Sequence, residues 1–197
     1  MSKPKHPIEE LVKVITYKSV EFEVVERPDV FWVGCVDYAK NNTDESDINA
    51  TLKRFQALVE IAPKNEIVNP DWSAALSINY TCKDKPCGIM FANESYTDKQ
   101  DERYDLIIQP GGLWLRVCNN EEAAAAFFGF DNAEPFNPWK YGSYMYFAGD
   151  QAPLQSAARE NGYQQNPNVH IQVEYHCSAE YSTPPHTNYA YIPIIEI

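Results

Sequence analysis

The stretch NVHIQVEYHC, residues 168–177, alternates apolar and polar side chains with a period of two. On a β-strand, Val169, Ile171, Val173, Tyr175 and Cys177 share one face, and His170, Gln172, Glu174 and His176 share the other. The first face suits a core under helices. The second is polar and faces either bulk water or a groove. Glu174 decides what that face means, because glutamate is depleted from strands and its charge is costly to bury without compensation. On a solvated face it has no particular role; in a groove it is a fixed negative charge.

The chain of 197 residues is sized for one domain and is long enough to bury a core. Its 13 Tyr, 9 Phe and 4 Trp are an excess that suits a core and equally a ligand groove or an interface. With a formal net charge of -12 and no basic patch, direct nucleic-acid binding is not expected. The basic run MSKPKH belongs to a segment, residues 1–18, expected to be a flexible start. No apolar run has the length of a signal peptide core or a membrane helix, so no membrane association is expected. The five cysteines, an odd count, read as reduced thiols of a cytoplasmic protein. Cys82 and Cys87 flank a turn, but their spacing is wider than a zinc knuckle and no second pair follows.

Upstream, VEFEVVERPDVFWVGCVDYA (20–39) divides at Arg27-Pro28-Asp29 into a half-buried strand and a denser apolar one. In TDESDINATLKRFQALVEIAPKN (43–65), Ile48, Leu52, Phe55 and Val59 recur at helical spacing beside Leu58. Ser46 is the expected N-cap, and Pro63 ends the helix. DWSAALSINYTCKDKPCGIMFANESY (71–96) gives two strands around Lys83-Asp84-Lys85. The order then repeats: ERYDLIIQPGGLWLRVC (102–118) reads as strand, Pro-Gly-Gly turn, strand; EEAAAAFFGF (121–130) and PLQSAARENGY (153–163) read as short helices; 168–177 and NYAYIPIIEI (188–197) are the closing strands. Residues 131–150 form an aromatic excursion, read as an ordered lid over a groove or a dimer contact. The expected organisation is α+β: two βαββ units, about 19–95 and 104–197, in a single domain spanning 19–197.

NGYQQNPNVHIQVEYH (161–176) resembles the Gly-Tyr, Pro, Phe-Glu-x-Tyr pattern of the gyrase-inhibitor-like (GyrI-like) effector-binding family, with Val173 and His176 in the Phe and Tyr places. AYIPI resembles its final Ile-Pro-Ile strand, YDLIIQPGGLWLRV the opening of its second repeat, and VVERPDVFWVGC the opening hairpin of its first. The family includes ligand domains of AraC-type and MerR-type multidrug-responsive transcription regulators. The resemblance implies tandem βαββ units in one curved antiparallel sheet, with helices on one face and a ligand groove on the other. It implies that Glu174 lies in that groove and attracts a lipophilic cation, with no cofactor. Aromatic walls would add cation–π attraction of roughly 0.5–2 kcal/mol per contact. The candidates are Trp114 and Tyr191 first, then His176, Trp32, Trp72 and Tyr80, with Tyr144 and Tyr146 behind them.

A metal site is the competitor on that strand face. His170 and His176 are roughly 20 Å apart and cannot share an ion. Glu174, His176 and His186 supply fewer ligands than structural zinc takes, so no metal is expected. A second alternative is a hydrolase of small electrophiles with Glu174 as general base. The sequence carries no nucleophile elbow, phosphate loop or dinucleotide fingerprint. A third is inhibition of DNA gyrase through acidic mimicry of DNA. With no room for a helix-turn-helix before Val20, the expected protein partner is a separate regulator or gyrase.

Overall fold

The computed structural model describes residues 8–38, 45–70, 72–80, 82, 84–137, 141–142, 144–147, 151–177 and 187–197. The elements run β1 (Glu10–Tyr17), β2 (Val20–Arg27), β3 (Val30–Asp37), α1 (Glu45–Ile61), β4 (Trp72–Ile78), β5 (Gly88–Ser95), β6 (Asp105–Gln109), β7 (Gly112–Asn119), α2 (Glu121–Phe128), α3 (Tyr144–Phe147), α4 (Pro153–Glu160), β8 (Tyr163–Gln165), β9 (Ile171–Cys177) and β10 (Thr187–Glu196). The strands form one sheet in the order β1-β2-β7-β10-β9-β4-β5-β3-β6, with β8 on the end of β10. Every pairing is antiparallel. The fold is α+β, as expected.

The two units exchange their first strands. β2 pairs with β7 of the second unit, and β6 pairs with β3 of the first. VVERPDVFWVGC is therefore not a hairpin: β2 and β3 are not sheet neighbours, and neither are β6 and β7. Pro28 and Pro110 sit in the two links, where a missing N–H costs no ladder bond. The links touch, with the Gly111 N–H donating to Asp29 Oδ1 at 2.6 Å. A Cβ on Gly111 would stand 2.8 Å from the Arg27 carbonyl oxygen, so the crossing has room only for glycine.

Residues 10–17, expected to belong to a flexible start, form edge strand β1 on β2. Tyr17 pairs with Val20 across a two-residue turn in which Lys18 and Ser19 both have positive φ, 47° and 66°. That is the conformation of a tight hairpin turn, reached here without the usual Asn-Gly signal. Helix α1 begins at Glu45, so Ser46 lies in its first turn and not at the cap. Phe55 is its buried anchor, with Ile48, Leu52 and Leu58 packed beside it, whereas Val59 is exposed.

Strand register separates the two faces. On one, α1 covers Cys35, Ala75 and Phe91, while α2, α3 and α4 cover Leu115, Val117, Ala190 and Ile192. On the other lie Trp32, Trp72, Leu76, Met90, Trp114 and Tyr191, all buried although no residue of a described helix joins their cluster. The sheet closes over them by curling. β2 and β5 are separated by four intervening strands, a distance of about 24 Å if flat at ~4.8 Å per strand. Yet the Arg27 guanidinium bonds directly to the Glu94 carboxylate of β5. It also pairs with Glu9 at 3.3 Å. Arg116 extends the network to Glu9 and, at 2.6 Å, to Glu23. Burial alone would lower the Arg116 pKa, but Tyr191, Glu9 and Glu23 together hold it above its ordinary value.

At the end of α1, Lys64 donates to Asn93 Oδ1 and lies 5.1 Å from the Phe55 ring centroid. Burial lowers its pKa from 10.5 to about 8.

Two predictions follow from this packing. Arg27→Met leaves Glu94 buried without this cation, while Glu9 keeps Arg116, and costs about 3–5 kcal/mol in urea unfolding; adding Glu94→Leu recovers part of the loss. For Lys64, the unfolded chain binds more protons than the folded one between pH 8 and 10.5, so stability rises with pH across that window. The penalty is complete below pH 8. Lys64→Met is therefore more stable than wild type at neutral pH and loses the rise, as read by urea midpoints against pH.

Candidate functional site: a capped glutamate at the sheet centre

Glu174 lies in β9, one of the two central strands, where one unit meets the other. Its register partners are Ala75 on β4 and Ala190 on β10. Paired residues of antiparallel strands point the same way, so Glu174 faces the helical side. It sits at the seam between the ground covered by α1 and that covered by α3 and α4. The two alanines leave space above the strand, and Glu174 is only 4 % exposed.

The cover comes from the aromatic excursion. Gly142 lies directly on the carboxylate: a Cβ there would fall 2.5 Å from Cδ of Glu174 and closer still to Oε1. Tyr146 closes the next position and is buried. Burial raises its pKa well above the ordinary phenol value, and the Glu174 charge raises it further, so it is a neutral phenol at physiological pH. The Ser77 side chain and Tyr80 are both close enough to influence its ionisation. Glu174, Ser77, Tyr80 and Tyr146 thus converge on one place.

The cover is held by the burial of Met145 and Tyr146 in the core with α4, by rings and by one amide. Tyr141 stacks on Phe128 (5.8 Å, 18°) and on Phe136 (5.7 Å, 5°). Tyr144 meets Phe128 edge-on at 5.8 Å. Gln155 Nε2 of α4 donates to the Tyr146 carbonyl at 3.2 Å. The segment is therefore an ordered cap seated on α2 and α4, and only a hydrogen on Gly142 separates its backbone from the carboxylate.

No family model and no curated protein matches the sequence. Solved structures do. SAV2435 bound to tetraphenylphosphonium superposes with a TM-score of 0.56 at 10% identity, over 88% of this chain and 93% of that one. The EcmrR C-terminal domain gives 0.57 at 12% identity, over 90% and 99%. A putative bacterial transcription regulation protein from Staphylococcus aureus MU50 gives 0.53 at 12% identity, over 89% and 98%. The fold is that of the gyrase-inhibitor-like effector-binding domains. At such identities the likeness resides in the backbone, and the side chains of the site must be read from this chain.

Within this gyrase-inhibitor-like fold, the sequence-predicted residues divide between the faces. Tyr80 and Tyr146 stand with Glu174, and Tyr144 is on the cap. Trp114, Tyr191, Trp32 and Trp72 do not; they belong to the opposite face. The reason is the curl of the sheet. The expectation that Val173 and its apolar neighbours lie under helices is reversed, because Val173 packs in the helix-free cluster. The aromatic cup on that side already holds cations of the protein. The Arg27 guanidinium is 5.8 Å from the Trp114 ring and 5.4 Å from Tyr191. Arg116 is 4.7 Å from Tyr189, and its Nη1 is 3.2 Å from the Tyr191 hydroxyl. Trp32 donates to Gln109 Oε1 at 2.9 Å, and Trp72 stacks on Tyr189. The backbone of His176 pairs with Ser73 and Asn188. Its side chain, and His186, lie outside the described residues.

Among the described residues, no group of three His, Cys, Asp or Glu is placed to hold a metal ion, and no helix is long and apolar enough to cross a membrane. A depression of about 480 Å³ lies on the far side of α1, lined by Cys35, Arg54, Leu58, Ile61, Arg103 and Asp105. Its cations are already engaged, Arg54 by the Val36 carbonyl and Arg103 by Asp101. It is remote from the chemistry at Glu174.

Sequence reasoning did not single out Ser77, Gln172 or Gly142. For Ser77 and Gln172 a signal existed: each is two residues along its strand from a position of the Glu174 row, and so on the same face. Gly142 carried no such signal, since a glycine in KYGSY reads as any loop glycine.

The seat of Gly142 predicts that Gly142→Ala lifts the cap. The variant is expected to melt at a lower temperature than wild type. Its Tyr146 region should exchange amide hydrogens faster, with protection at β4 and β9 retained, as measured by hydrogen–deuterium exchange.

Proposed function

We propose that the chain is a binding module for hydrophobic, cationic small molecules, with Glu174 as the counter-charge and residues 141–142 and 144–147 as a cap that the ligand displaces. One observation carries this reading. A carboxylate at the centre of the sheet, 4 % exposed, is covered by an added segment and not by core strands or a long helix. A buried carboxylate is poorly solvated, so a cation with apolar substituents offsets its cost and fills the space left by Ala75 and Ala190. Displaced cap rings, Tyr141 and Tyr144 with Phe128, supply aromatic faces at the rim. The fold supports the reading, because SAV2435, which shares it, is bound to tetraphenylphosphonium. A role in ligand sensing alongside transcription regulators accords with the other two structures of this fold.

A capped site binds with an apparent affinity reduced by the fraction of molecules that are open. Gly142→Ala should then raise the affinity that the closed cap suppresses.

The test is calorimetric titration with tetraphenylphosphonium and with neutral triphenylphosphine oxide, on wild type and on Glu174→Gln. The expected result is binding of the cation alone, weakened about tenfold or more in Glu174→Gln, consistent with loss of one desolvated charge contact. Equal binding by wild type and Glu174→Gln, or a preference for the neutral compound, overturns the proposal.

A further inference from the structure

Gln172 stands beside this site and is not explained by packing. It is 1 % exposed, and neither its Oε1 nor its Nε2 has a hydrogen-bond partner. Buried side-chain amides in folded proteins are nearly always bonded, and a carboxamide with both ends unmet is a costly residue to keep in a core. Leucine or methionine would fill the volume without the cost.

Its position relates it to Glu174. The two are separated by Val173, so they share the helical face about 7 Å apart along the strand. Across the ladder, Ser77 pairs with Gln172 as Ala75 pairs with Glu174. In the closed state the Ser77 side chain lies near the Tyr146 hydroxyl of the cap. When Tyr146 leaves, the Ser77 hydroxyl stands open beside the Gln172 amide, its partner across the ladder. The opened floor then carries a carboxylate at one end, and an N–H₂ donor, a carbonyl acceptor and a hydroxyl at the other.

We propose that Gln172 is a second recognition group of the site, and that the ligand is a lipophilic cation bearing a group that both donates and accepts hydrogen bonds, such as a carboxamide, about 7 Å from its cationic centre. An onium ion with hydrocarbon substituents alone leaves Gln172 unmet. The inference rests on the Glu174 reading above and sharpens the class of ligand that site takes.

A matched pair of probes tests it: (3-carbamoylpropyl)triphenylphosphonium and its hydrocarbon isostere (4-methylpentyl)triphenylphosphonium, titrated into wild type, Gln172→Leu and Glu174→Gln. Wild type is expected to favour the carboxamide about tenfold, the worth of one or two net hydrogen bonds. Gln172→Leu should abolish that preference while binding the hydrocarbon probe at least as well. Glu174→Gln should weaken both probes by the same factor. A separate readout needs no ligand: Gln172→Leu should melt above wild type, because it removes an unmet buried amide. An unchanged probe ratio in Gln172→Leu, or a fall in its melting temperature, overturns the role of Gln172 and leaves Glu174 untouched. If neither probe binds wild type, the Glu174 reading fails and this inference fails with it.

Discussion

Arg27 joins two strands that a flat sheet would hold far apart. Its guanidinium bonds to Glu94 from the other half of the sheet and to Glu9 from the segment before β1. Such a buried pair stabilises little compared with an apolar replacement, but its geometry is demanding. With the two halves clasped, one face of the sheet becomes interior, filled by tryptophans, tyrosines and the chain's own arginines. The site proposed for a ligand then lies on the other face, where the covering helices leave a seam. The position of the site is thus a consequence of how the sheet curls, and only secondarily of which residues line it.

The two sides of β9 express this division within two residues. Val173 is wholly buried in the aromatic interior, against groups that cannot move without opening the sheet. Glu174 is almost as buried, but beneath Gly142 and Tyr146, which are held by ring contacts and a side-chain hydrogen bond. Both residues are inaccessible, one sealed by the sheet itself and the other by a short segment anchored in the core through Met145 and Tyr146.

Much of the fold was legible in the sequence. The alternation of 168–177 marks β9 and both of its faces, the Phe55 periodicity marks α1, and the two βαββ runs appear in order. What period two does not contain is which face receives the helices. The apolar side of β9 was the natural guess for the helical one, and the curl held by Arg27 reverses it. Strand partnership was equally hidden, since ERPDV and QPGGL have the composition of turns whether the chain returns to its neighbour or crosses to the other half. Trp114 and Tyr191 read as offering their faces to a ligand cation, but long-range pairing places Arg27 over both and Arg116 over Tyr191. Glu174 itself was visible as an anomaly because a charge in a strand conflicts with local preference, and such conflicts tend to mark functional positions.

The exchange of first strands also determines when this protein can exist at all. β2 emerges early from the ribosome and finds β1 at once, but its other neighbour is not made until Gly112–Asn119. β10, which lies between β7 and β9, is synthesised last. Until it docks, Glu174 lacks Ala190 on one side, and α3 and α4 lack the strand that carries Ile192 beneath them. The surroundings of Glu174 are therefore complete only after β10 has been made, and a chain lacking β10 cannot assemble them.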